Sequence, residues 1–159
     1  MVADGLDELD RYIIHSLQLD ARNTPAREIA EAMDVSPSTV RNRIHRLEEE
    51  GYVRGYHLDI DYERAGFQLY TLIICTAPIP DRERLAQEAV EVPGVVSVRE
   101  IMTGAGNVHI VAVGTDSDDL SRIGQDLNAL GFEIVDEDIV RNEYSHPYHG
   151  FAGDDSRSN

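Results

Sequence analysis

Lysine is missing from this 159-residue chain: all fourteen basic side chains are arginine, set against thirty aspartates and glutamates for a formal net charge of −16. Any contact with a polyanion must therefore come from a local cationic surface. Residues 1–57 hold seven arginines and eleven acids, net −4, whereas residues 58–159 hold seven and nineteen, net −12. In about 1 M salt the Debye length falls to ~3 Å and screens such repulsion, so the composition suits a salt-rich cell interior. Cysteine is almost missing too. Cys75 stands alone, which excludes an internal disulfide framework, and its place in an apolar run marks it as a small core residue rather than a nucleophile. No apolar run approaches about 18 residues and no signal-peptide pattern opens the chain, so neither membrane insertion nor export is expected and a cytoplasmic location is.

Against that acidic background, Ser36 to Leu47 stands out with three arginines and no acid. Ser36 can cap a helix, and Pro37 suits its first turn because proline has no N–H to leave unpaired. Val40, Ile44 and Leu47 at i, i+4, i+7 form an inward stripe, leaving Ser38, Arg41, Asn42, His45 and Arg46 outward. Ser38, Thr39, Arg41 and Asn42 are expected near base edges of double-stranded DNA and Arg43 and Arg46 toward phosphates, with Ser36 and His45 beside them. The alternative is a solvated face whose arginines pair with Glu48, Glu49 or Glu50.

Leu6, Leu9, Ile13 and Leu17 predict an earlier helix to about Leu19, and Thr24-Pro25 opens a second one carrying Ile29, Ala30 and Met33. Asp34-Val35 then makes the short turn that a helix-turn-helix requires. Tyr52 to Leu58 reads as extended, either a wing or the start of a linker strand.

The second half changes pattern. Gln68 to Ala77 is a buried-strand run ended by prolines, and Asp81 to Val92 an amphipathic helix capped by Asp81. Val95 to Met102 and Val108 to Val113 form a hairpin about Gly104-Ala105-Gly106. Asp116 to Leu130 is a helix stopped by Gly131, and Phe132 to Tyr144 a last strand. The order βαββαβ is the ferredoxin-like signature, giving an α+β chain whose two helices share one face of an antiparallel sheet. Ile73, Cys75, Val96, Val98, Ile110 and Ala112 are candidates for one sheet face or the other. An open apolar face of that size calls for a partner, so a homodimer or higher homo-oligomer is expected. The expected domains are 1–55 for DNA binding, 56–66 as linker, 67–145 for oligomerisation and effector binding, and 146–159 as tail.

Leu6-Asp7-Glu8-Leu9-Asp10-Arg11, Asp20-Ala21-Arg22, Ser36-Pro37-Ser38-Thr39-Val40, Arg46-Leu47-Glu48-Glu49-Glu50-Gly51 and Arg54-Gly55-Tyr56 together resemble the Lrp/AsnC (feast/famine) family of transcriptional regulators, over roughly Leu6 to Tyr144. The lysine-free acidity gives the resemblance a haloarchaeal cast. It implies a winged helix-turn-helix domain joined to a ferredoxin-like domain that assembles oligomers and often senses amino acids. The family's effector loop carries Thr-Gly, an acid, an aromatic and an Asp. Here the stretch is Thr103-Gly104-Ala105-Gly106-Asn107, which keeps the start and loses the charge. Thr103, Gly104, Gly106 and Asn107 are the candidate contacts for an amino-acid-like small molecule; the alternative is a glycine-rich hairpin turn and nothing more.

His146 and His149 beside Glu143, with His57 or His109, give a weak metal pattern, and neither a metal nor a cofactor is expected. Packing of Tyr144, Tyr148 and Phe151 against the sheet or a neighbouring subunit is the expected role of the tail. Residues 153–159 read as disordered. Two other functions remain open: a siroheme-decarboxylase-like enzyme of similar architecture, and a sensor or assembly protein without DNA affinity.

Overall fold

The structure, a computed structural model, describes residues 5–152. The expectation of disorder over residues 153–159 lies outside that range. Two compact units are present, one built from the residues up to Leu58 together with the segment from Tyr144 onward, the other from Asp59–Glu143.

In the first unit, α1 (Glu8–Asp20) begins with a reciprocal cap: the Asp7 carboxylate accepts the Asp10 N–H at 2.9 Å and the Asp10 carboxylate accepts the Asp7 N–H at 3.1 Å. After α2 (Ala26–Met33), Asp34 takes the left-handed conformation at φ 52°, and the Val35 N–H reaches back to the Ala30 carbonyl at 3.0 Å. That tight reversal launches α3 (Pro37–Glu49), with Ser36 as its cap and Pro37 in its first turn, as the sequence predicts. Ile13, Ile29, Ala30, Val40 and Leu47 are buried together, with Leu9, Ile14, Val35 and Ile44 packed around them. Each of the larger side chains contributes roughly 1.5–3 kcal/mol by leaving water. Tyr52 to Leu58 is extended but pairs with no strand; the Val53 N–H bonds to the Leu47 carbonyl at 3.0 Å, and the segment continues as an arm.

The tail aromatics divide, two exposed in the single chain and one seated on the first unit. Tyr144 and Tyr148 are 88% and 66% exposed rather than packed. Phe151, in a 3-10 turn at His149–Phe151, lines a groove of about 580 Å³ with Leu6 just before α1, Ile14 and Leu17 from α1, and Tyr52, Val53 and Tyr56 from the arm. The physical reason is local: Leu6, Ile14 and Leu17 are only partly buried against the three-helix core, and an aromatic ring lies on the side they leave open. The Tyr148 ring stands edge-on to Phe151, with centroids 5.4 Å apart.

The second unit is a four-stranded antiparallel sheet of order β2-β3-β1-β4, from β1 (Leu69–Thr76), β2 (Val95–Glu100), β3 (Val108–Gly114) and β4 (Glu133–Ile139). The helices α4 (Arg82–Ala89) and α5 (Ser117–Leu130) cover one face, where Ile73, Cys75, Val108, Ile110 and Ala112 meet Leu85, Ala89, Ile123, Leu127 and Phe132. Asp116 caps α5 and Gly131 ends it at φ 114°. The Asp81 cap predicted for α4 does not form, because a 3-10 turn at Ile79–Asp81 precedes the helix and the Asp81 carboxylate accepts from Arg84 at 3.2 Å instead. The last strand stops at Ile139, short of Tyr144. On the face without helices, Leu72 lies opposite Val111 and Asp138, Ile74 opposite His109 and Asp136, and Tyr70 opposite Val113. Ile73, Cys75, Ile110 and Ala112 thus belong to the covered face, and Val96 is 42% exposed beside an irregularity in β2.

Candidate nucleic-acid interface

The start of α3 is organised by one hydroxyl. Ser36 Oγ accepts the Thr39 N–H at 3.1 Å and lies 2.9 Å from Ser38 Oγ and 2.8 Å from Thr39 Oγ1. A hydroxyl has two lone pairs and one proton. With one lone pair taken by the N–H, Ser36 accepts from one neighbour and donates to the other. One proton, on Ser38 or Thr39, is then left to donate outward. Arg41 and Asn42 are exposed on the next turn and make no ion pair or side-chain hydrogen bond among the described residues. Four adjacent groups therefore offer a hydroxyl proton, a guanidinium fork and an amide, the chemistry that phosphates and base edges take.

The other cations of α3 are differently committed. Arg43 Nη1 donates to Asp7 Oδ2 at 2.6 Å and to Asp10 Oδ1 at 3.0 Å, and Arg46 Nη2 donates to Asp10 Oδ2. Arg43 and Arg46, expected toward phosphates, are paired inside the first unit: both guanidinium groups neutralise a carboxylate whose side chain is 1% exposed. Nor do they pair with Glu48, Glu49 or Glu50. His45 does take such a partner, with Nε2 3.2 Å from Glu49 Oε1, and Glu48 accepts from the Tyr56 hydroxyl at 2.9 Å. Burial, and then Glu48, push the Tyr56 phenol up to about 12. The Asp7 carboxyl is held below its usual range, chiefly by the Asp10 N–H and, further down, by Arg43. Sequence reading missed Asp10 as the organiser, although its spacing from Asp7 was the available signal.

The candidate effector loop is half spent on the fold. Asn107 is fully buried, its Oδ1 accepting the Ala77 N–H and its Nδ2 donating to the Ala77 carbonyl, both at 2.8 Å. Both polar atoms of that side chain are engaged with the backbone and covered, so this geometry gives a ligand no exposed part of Asn107 to meet. Gly106, at φ 58°, donates its N–H to Thr76 Oγ1 at 2.9 Å. Thr103 and Gly104 are exposed, in a loop entered where Arg82 donates to the Ile101 carbonyl at 3.1 Å. The His146 and His149 rings lie 4.6 Å apart, and no group of three or more metal-ligating side chains is gathered among the described residues. No helix among them is long and apolar enough to cross a membrane.

Comparison with known proteins agrees with this geometry. A family model described as winged helix-turn-helix DNA-binding matches residues 6–54. The transcriptional regulator LrpA of Pyrococcus horikoshii is 36% identical over 74% of this chain and 82% of its own length. Among solved structures, MtbAldR superposes with a TM-score of 0.75 at 28% identity, over 88% of this chain and 97% of that one. A transcriptional regulator from Neisseria meningitidis, solved as a complex with L-Met, gives a TM-score of 0.69 at 26% identity, over 89% and 94%. These relatives are regulators rather than enzymes, and the decarboxylase reading gives way to them. Carrying a three-helix unit of this kind and a βαββαβ unit in one sequence, the chain belongs to the Lrp/AsnC family of DNA-binding transcriptional regulators.

Proposed function

We propose that the protein regulates transcription in the cytoplasm by placing the start of α3 in the major groove of its operator, with Ser38, Thr39, Arg41 and Asn42 as the contact set. The observation that carries this is the exposure of Ser38, Arg41 and Asn42, with Thr39 half-buried beside them at the capped end of α3, while Arg43, Arg46 and His45 have partners within the protein. Replacing Arg41 by alanine tests it: site-specific affinity falls by roughly 1–3 kcal/mol if the guanidinium reads a base. A footprint identical to wild type removes Arg41 from the set.

Two copies would join through the sheet face that carries Leu72, Ile74 and Val111, presenting two recognition helices to a two-fold DNA site. Light scattering of the purified chain measures that assembly. An amino-acid effector, as in the L-Met complex of the Neisseria relative, would meet the exposed Thr103 and Gly104 rather than Asn107; titration calorimetry with free amino acids decides it. The lysine-free acid excess supports work in molar salt, of haloarchaeal type.

A further inference from the structure

Asp10 is the one buried acid among the described residues of the first unit. Its Oδ1 takes Arg43, and its Oδ2 takes Arg46 and the Asp7 N–H, while the exposed Asp7 carboxylate takes Arg43 a second time. Arg43 and Arg46 belong to the helix assigned to DNA, yet they point back at the start of α1. A guanidinium donates to carboxylate and phosphate alike; Arg43 gives Nη1 and Arg46 gives Nη2 to the aspartates, which thus compete with phosphates for both side chains.

We propose that Asp10, seconded by Asp7, is a specificity-determining residue for DNA binding, holding Arg43 and Arg46 away from phosphates so that the operator is recognised through Arg41, Asn42 and the hydroxyls. The inference rests on the reading of α3 as the recognition helix. Releasing either arginine to DNA would leave Asp10 buried with an incomplete set of counter-charges, which is unfavourable. The pairs therefore persist in the complex. Two of the three arginines of α3, their charge already met by carboxylates, then contribute less to the sequence-independent attraction, which is the part shared with random DNA and weakened by salt. Asp10 acts on DNA through the arginines and touches no base, so it is a positioning residue.

The test measures the affinity of the full chain for its own promoter duplex and for a random-sequence duplex by fluorescence anisotropy, each against KCl concentration. Asp10→Asn is expected to raise affinity for random duplex several-fold, to steepen the salt slope by about one to two per protomer as freed guanidiniums find phosphates, and to narrow the ratio of specific to random binding. Asp7→Asn, at an exposed position, shifts all three readouts the same way by less and covers the case in which Asp10→Asn does not fold. Arg43→Gln in the wild-type background leaves the salt slope where it was. A slope that drops by about one in Arg43→Gln overturns the proposal, because Arg43 then already holds a phosphate. So do unchanged slopes and ratios in both aspartate variants. A wild-type chain that binds neither duplex at any salt concentration overturns the reading of α3 itself, a separate result.

Discussion

Asn107 and Ala77 are joined by two reciprocal hydrogen bonds of 2.8 Å, thirty residues apart in the chain and wholly buried. The side-chain amide mimics a strand neighbour for the residue just past β1, where the ladder to β3 has ended. Asn107→Ala strands a buried N–H and a buried carbonyl together. The expected loss is about 2–3 kcal/mol of unfolding free energy, read from urea melts. A change of under about 0.5 kcal/mol would mean that water takes over both bonds.

Phe151 lines the groove beside α1 and is itself half-buried. Phe151→Ala should therefore cost less than a full core truncation, roughly 1–2 kcal/mol. The loss should be local: amide exchange in α1 and in Tyr52 to His57 accelerates, while exchange in α5 holds its wild-type rate. Acceleration spread evenly over both units would show that the ring has no particular seat on α1.

Cys75 reports on opening of the sheet unit. Burial, and secondarily Glu137, push its thiol up to about 12, and its residue surface is fully covered. Since the thiolate is the reactive form, labelling by a maleimide near neutral pH should wait on unfolding and follow its rate as urea is added. Rapid stoichiometric labelling of the native protein would contradict the buried placement.

Thermal stability should rise with KCl over the molar range, because screening relieves the repulsion among acids concentrated in residues 58–159. Calorimetric scans that stay flat or fall with added salt would detach the composition from salt adaptation.

Local chemistry was legible in the sequence where one or two residues decide a backbone choice. Ser36-Pro37 opens α3 and Gly131 ends α5, each as read. The strand order followed from alternating runs whose register leaves little choice once one face is buried. Asp81 failed because a cap needs a free turn before it, and Pro78 and Pro80 impose a 3-10 turn there instead. The partners of Arg43 and Arg46 lay 33 to 36 residues upstream, in a helix whose relation to α3 no periodicity reports. Asn107 was legible as a departure from the family loop but not as a clamp, since its partner is a backbone amide and leaves no trace in composition. Phe151 belongs to no repeating pattern at all.

The route of the chain, out of the first unit after Leu58 and back at Tyr144, sets an order of events during synthesis. The three helices emerge from the ribosome early, but the ring that lines the groove beside α1 follows only after all four strands have been made. Until then the newly formed helices carry an exposed apolar groove, open to chaperones and to other nascent chains. A fragment ending near Leu58 would keep that groove permanently. The regulator thus gains its finished DNA-binding unit only in chains that have already produced the sheet through which copies are proposed to join.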